Sequence, residues 1–158
     1  MRGRPPVTPP LLQALRKAHR LTFGDWGRVA IGFRALQRAM RDVKDRPQGD
    51  FVTRADGPAA TADPARLPEA RSIALGVSRA AAYGPLHPTC LAQSLAIQRC
   101  LHDRGIDGGR IRVGVARQRG KFVAHAWVEF AGEVIGDDRA SVDRYEPFDD
   151  MHVKPTGP

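Results

Sequence analysis

Cys90, His125 and two adjacent aspartates, Asp137 and Asp138, are the residues of this 158-residue chain whose types and settings suit nucleophilic chemistry. Cys90 follows "HPT" and opens the run "CLAQSLAIQRCLHDRG", in which Leu91, Leu95, Ile97 or Gln98, and Leu101 recur at helical spacing. Pro88 and Thr89 suit the approach to a helix start, and Gly105 suits its end. Cys90 is therefore expected at the N-terminus of a largely buried helix, where the macrodipole and unbonded N–H groups favour the thiolate. The thiolate is the nucleophilic form, a histidine is its natural proton acceptor, and a carboxylate fixes that imidazole's tautomer and orientation.

His125 lies in "KFVAHAWVEF", where strand alternation puts it on one face with Trp127 and Glu129. The turn at Ala131-Gly132 folds the next strand, "EVIGD", back antiparallel. A three-residue connection centred on Ala131 sets His125 opposite Asp137, whereas a two-residue turn sets it opposite Asp138. Directly opposed residues have Cβ atoms about 4.5–5.5 Å apart, within reach of an imidazole–carboxylate hydrogen bond. Spacing alone leaves both aspartates open.

Other readings of these residue types are weaker. Cys100 lies close to three turns further along the same helix and is expected to pack in the core. Cys90, Cys100, His87 and His102 lack the paired spacing of a zinc site, so neither a metal nor another cofactor is expected. Trp127 is expected in the core, with shielding of the cleft as the alternative.

The elements that must position these groups follow from periodicity. Leu11, Leu12, Leu15, Ala18 and Leu21 predict a first helix, and Gly24-Asp25 a break with Asp25 as N-cap. Trp26, Val29, Phe33, Leu36, Met40 and Val43 predict a second, amphipathic helix. A stretch rich in Pro, Gly and Asp reads as an exposed linker over 46–68. A third helix is predicted from Glu69 to about Tyr83, with Ile73, Val77 and Ala80 or Ala81 inward. Beyond the Cys90 helix, "RIRVGVARQ", "KFVAHAWVEF" and "EVIGD" read as strands joined by "RG" and "AG" turns. The tail from Ser141 carries no assignable pattern. The expected fold class is α+β: N-terminal helices and a buried helix opening with the nucleophilic Cys, packed on a small antiparallel sheet. The expected division is a basic helical segment over 1–45, the linker over 46–68 and the core over 69–158.

The net charge of +8 is uneven, because residues 1–46 hold 11 Lys and Arg against 3 Asp and Glu, and the remainder balances. A basic segment of that kind suits an acidic peptide, a partner protein, anionic lipid or nucleic acid. With few aromatics nearby for stacking, nucleic acid is not an expected partner. No apolar run approaches the roughly 20 residues of a membrane span, and "MRGRPPVTPP" lacks the apolar core of a secretory signal. A cytoplasmic location with two free thiols is expected.

The order "HPTCLAQSLAIQRCLHDRGI", "RIRVGVARQ", "FVAHAWVEFAGEVIGDD" resembles the leader peptidase of lasso-peptide biosynthesis, a family in the transglutaminase-like, papain-related cysteine peptidase superfamily. The matching features run from about Thr89 to Asp138: Cys-Leu opening a helix, Ile-x-x-Gly-Val, Ala-His-Ala-Trp-Val-Glu, and an Asp twelve residues past the His. The resemblance implies Cys90 as nucleophile, His125 as general base and Asp137, rather than Asp138, as the orienting carboxylate. It also implies the stand-alone peptidase half of a split protein, which removes the leader from a ribosomally made precursor peptide. The implied partners are the leader–core precursor, a separate leader-recognition protein and the ATP-dependent macrolactam synthetase, with the basic N-terminal helices as a docking face. A transglutaminase-like acyl transferase and a non-catalytic peptide-binding module are the alternatives.

Overall fold

The computed structural model describes residues 23–45, 52–54, 61–148 and 151–153. The helix expected over 11–21, much of the expected linker and the end of the tail lie outside the described residues. A 23-residue helix, α1 (Phe23–Asp45), comes first. It runs through Gly24-Asp25, so the expected break and N-cap at Asp25 are absent. One glycine costs a helix only about 1 kcal/mol, less than the packing of the turns beyond it supplies. Leu36 and Ala39 on its inner face are fully buried, with Val29, Phe33, Met40 and Val43 packed around them, while Arg34, Arg38 and Arg41 face outward.

After the short strand β1 (Val52–Arg54), a 3-10 turn at Pro64–Arg66 leads into α2 (Leu67–Tyr83). Pro68 sits in the first turn of α2, where its missing N–H has no helical partner to lose, so the helix begins two residues before Glu69. Its inward face is Ala70, Ala74, Gly76, Val77 and Ala80. The third helix, α3 (Cys90–His102), buries Ala92, Leu95, Ala96, Ile97, Cys100 and Leu101. It closes at Gly105: the Ile106 N–H donates to the Leu101 carbonyl (3.0 Å) and the Gly105 N–H to that of His102 (2.9 Å).

The strands β2 (Arg110–Gln118), β3 (Lys121–Phe130), β4 (Glu133–Ile135) and β5 (Glu146–Pro147) form one antiparallel sheet in the order β4-β3-β2-β5. A four-residue helix, α4 (Arg139–Val142), links β4 to β5, and a final strand β6 (Met151–Val153) pairs with β1. Both hairpins of the sheet turn on two residues with positive φ, Arg119-Gly120 and Ala131-Gly132, the conformation whose twist matches that of the strands it joins.

The architecture is α+β, with the helices on one face of the sheet and α3 between. On one side, α3 presents Leu95, Ala96, Ile97 and Leu101 to Ile111, Ala126, Val128, Phe130 and Ile135. On the other it meets Leu36 and Ala39 of α1 and Ala74 and Val77 of α2. An Arg99–Asp42 ion pair adds a link between α3 and α1. Leu36→Ala should therefore lower the free energy of unfolding in urea by about 3 kcal/mol, within the range for buried leucines. A loss below about 0.5 kcal/mol would mean that α1 contributes no packing to the cooperative unit.

Candidate active site

Cys90 is the first residue of α3 and is half-buried. Thr89 takes the extended N-cap conformation, and its hydroxyl oxygen accepts the Ala92 N–H at 3.2 Å. The first amide bonded to a carbonyl one turn back is that of Gln93, which reaches the Thr89 carbonyl at 3.0 Å. The amides of Cys90 and Leu91 precede it and have no helical acceptor. Cys90 thus stands at the positive end of a 13-residue helix, in the turn whose first two amides have no helical acceptor.

His125 lies in β3 with its Nε2 2.6 Å from Asp137 Oδ2, and the two side chains are 22% and 26% exposed. The second carboxylate oxygen of Asp137 accepts the Asp138 N–H at 2.8 Å. The β3–β4 register pairs Phe130 with Glu133, so the turn is the two-residue one that, continued in register, would bring Asp138 opposite His125. The ladder instead ends at Ile135. Gly136 follows with φ +77°, a conformation that disfavours any side chain, and a β-carbon there would lie 2.5 Å from Ile97 Cδ1. That turn carries Asp137 to the imidazole. Asp138 is directed into α4, where its carboxylate accepts the Ser141 hydroxyl at 3.1 Å and its carbonyl accepts the Ser141 and Val142 amides.

Two aromatic rings hold the imidazole. Trp127 stacks near-parallel on it with centroids 6.2 Å apart, and Tyr145 approaches at 5.0 Å and 32°. Trp127 is 3% exposed, and its indole N–H donates to Glu129 Oε1 at 3.0 Å. It lies over Gly114, where a β-carbon would be only 2.9 Å from the ring. Tyr145 lies in the tail that carries no periodic pattern, so no signal in the sequence marks it; its hydroxyl accepts from Gln118 Nε2 at 3.3 Å.

Cys90, His125 and Asp137 line one cleft of about 190 Å³, with Gln93, Ser94 and Trp127. Asp137 occupies Nε2 of His125, which leaves Nδ1 as the ring nitrogen able to exchange a proton with another group. A thiol, an imidazole and a carboxylate in this order provide the parts of a nucleophile–base–orienter system. Cys100 lies elsewhere, against a second cavity shared with Arg28, Ile73 and Val77. Burial, reinforced by the Asp103 charge and opposed by Arg104, pushes its thiol from 9.0 up to about 11. His87 and His102 are exposed, and no group of three His, Cys, Asp or Glu among the described residues could hold a metal ion. No described helix is long and apolar enough to cross a membrane.

A family model for the transglutaminase-like superfamily matches residues 28–149, spanning α1 to β5. No curated protein and no solved structure matches the chain.

In the folded protein at pH 8, iodoacetamide should modify Cys90 and spare Cys100, as read by peptide mass spectrometry, with Cys100 reacting once urea unfolds the chain. Equal labelling of both thiols before unfolding would contradict this placement. The folded Cys100 thiol holds its proton more tightly than the unfolded one. Its contribution to stability is therefore intact below pH 9.0 and is lost as pH rises through about 11.

Proposed function

Because the chain belongs to the transglutaminase-like superfamily, which includes cysteine peptidases and acyl transferases, we propose that it is a cysteine peptidase that removes the leader from a ribosomally made lasso-peptide precursor. The observation that carries the chemistry is the 2.6 Å His125–Asp137 bond in the cleft that Cys90 also lines. The substrate assignment rests on the sequence resemblance from Thr89 to Asp138, above all "AHAWVE".

In this reading Asp137 accepts the Nε2–H of His125 and so presents the Nδ1 lone pair as the base. Cys90 Sγ attacks the scissile carbonyl carbon as Nδ1 takes the thiol proton. The tetrahedral oxyanion lies against the Cys90 and Leu91 amides; removal of one such donor in comparable sites costs about 10²–10³ in rate. As the C–N bond breaks, His125 returns the proton to the leaving amine, and the leader remains as a thioester on Cys90. Water, deprotonated by His125, hydrolyses the thioester and restores the thiol. The stacked Trp127 ring and the tilted Tyr145 ring restrain the imidazole during both transfers. The partners are the precursor, a separate recognition protein that holds the leader, and the macrolactam synthetase that receives the released core.

The test is mass spectrometry of a leader–core precursor incubated with this protein and its recognition partner. A single cut between leader and core is expected with wild type and with Cys100→Ala, and none with Cys90→Ala. Asp137→Asn should lower kcat by about 10²–10⁴, as for an orienting carboxylate that fixes a tautomer, whereas Asp138→Asn should cost less than about tenfold. A product carrying an added amine in place of water would assign acyl transfer instead. Cleavage that survives Cys90→Ala would reject the nucleophile.

A further inference from the structure

The carbonyl of Gly136, one residue before Asp137, is held from two sides. The Ser78 hydroxyl of α2 donates to it at 2.6 Å, and Gln93 Nε2 of α3 donates to it at 3.2 Å, with a further contact of 3.3 Å between Gln93 Nε2 and Ser78 Oγ. Gln93 is three residues after Cys90, so the two side chains lie on neighbouring positions of one helical face, and both line the cleft. The same helical turn therefore bears the thiol and grips the segment that bears the carboxylate. Gly136 has left the β ladder, so its carbonyl gains its partners from these side chains and not from a strand.

We propose that Gln93, with Ser78, is a positioning residue that sets Asp137, and through it the His125 ring, at a fixed distance from Cys90. The inference rests on the nucleophile–base reading of Cys90 and His125 and deepens it. Without the clamp, the Gly136–Asp137 peptide is free to rotate, and the carboxylate no longer holds Nε2 in one place. The hydrogen bonds of the Gln93 amide go to the Gly136 carbonyl and Ser78 Oγ, so in this role its effect passes through Asp137.

The experiment measures the rate of Cys90 alkylation by iodoacetamide at pH 7 in the full chain, a readout that needs no peptide substrate. His125→Ala reports on the base and should slow alkylation by about tenfold or more. Gln93→Leu should slow it by about fivefold, and Ser78→Ala should act in the same direction with Ser78→Thr restoring the rate. In an Asp137→Ala background, Gln93→Leu should change the rate by less than about 1.5-fold, because the two residues act as one unit. Gln98→Leu is the structural control: it removes a bond of 3.1 Å to the Gly109 carbonyl from the same helix and should lower stability while keeping the wild-type rate.

A wild-type rate in both Gln93→Leu and Ser78→Ala, with His125→Ala slowed, would overturn the clamp and leave the nucleophile–base pair standing. Slowing by Gln93→Leu that persists undiminished without Asp137 would overturn it as well, since Gln93 would then act by another route. A wild-type rate in His125→Ala would overturn the pair itself and the clamp with it.

Discussion

The left-handed turn at Gly136 is the constraint on which the site depends. Up to Ile135 the β3–β4 hairpin is regular, and its register would deliver Asp138 to His125. At Gly136 the backbone takes φ +77° in a space already bounded by Ile97, Ala74 and Ser78, where a β-carbon would collide. The chain thereby drops out of the ladder one residue early and presents Asp137 to Nε2. The following residue, Asp138, becomes the start of a short helix, and its own amide holds the second oxygen of Asp137. One backbone conformation thus separates two chemically identical neighbours into different roles.

The rest of the fold holds that turn against α3. The helix is covered on both sides, by the sheet through Ala126, Val128 and Phe130 and by α1 and α2 through Leu36, Ala39 and Val77. A helix packed this way cannot shift along its axis without opening gaps in a close-packed interior. Its N-terminus, with Cys90 and two amides lacking helical acceptors, is thus fixed relative to β3 and His125. The imidazole also meets the Trp127 and Tyr145 rings. Trp127 can lie there because Gly114 on the neighbouring strand has no side chain to lift it.

Much of this was legible in the sequence where periodicity is strong. The start of α3 at Cys90, the turns at Arg119-Gly120 and Ala131-Gly132, the α+β class and the buried face of α3 all follow from local patterns. The contact of Asp137 with His125 did not follow from hairpin geometry. The turn is the two-residue form, which taken alone favours Asp138, and the family resemblance pointed to Asp137 for a reason that strand pairing could not supply. The cause is tertiary: Gly136 leaves the ladder because of what α2 and α3 place beside it. Tyr145 and Gln93 were missed for a similar reason. One lies in an irregular tail and the other reads as an ordinary polar helix position, and each acquires its part only through contacts distant in sequence. At Gly24-Asp25 local chemistry predicted a break that the helix overrides.

The central claim is that Asp137, through the turn at Gly136, fixes the tautomer and direction of His125. Long-range proton–nitrogen NMR on protein labelled with ¹⁵N histidine tests it most directly, because it reports which ring nitrogen of the neutral imidazole carries the proton. The account predicts a proton on Nε2, hydrogen-bonded and shifted downfield, that is lost from this position in Asp137→Asn and retained in Asp138→Asn. A proton on Nδ1 in the wild type, or loss of the signal in Asp138→Asn with Asp137→Asn unchanged, would contradict it.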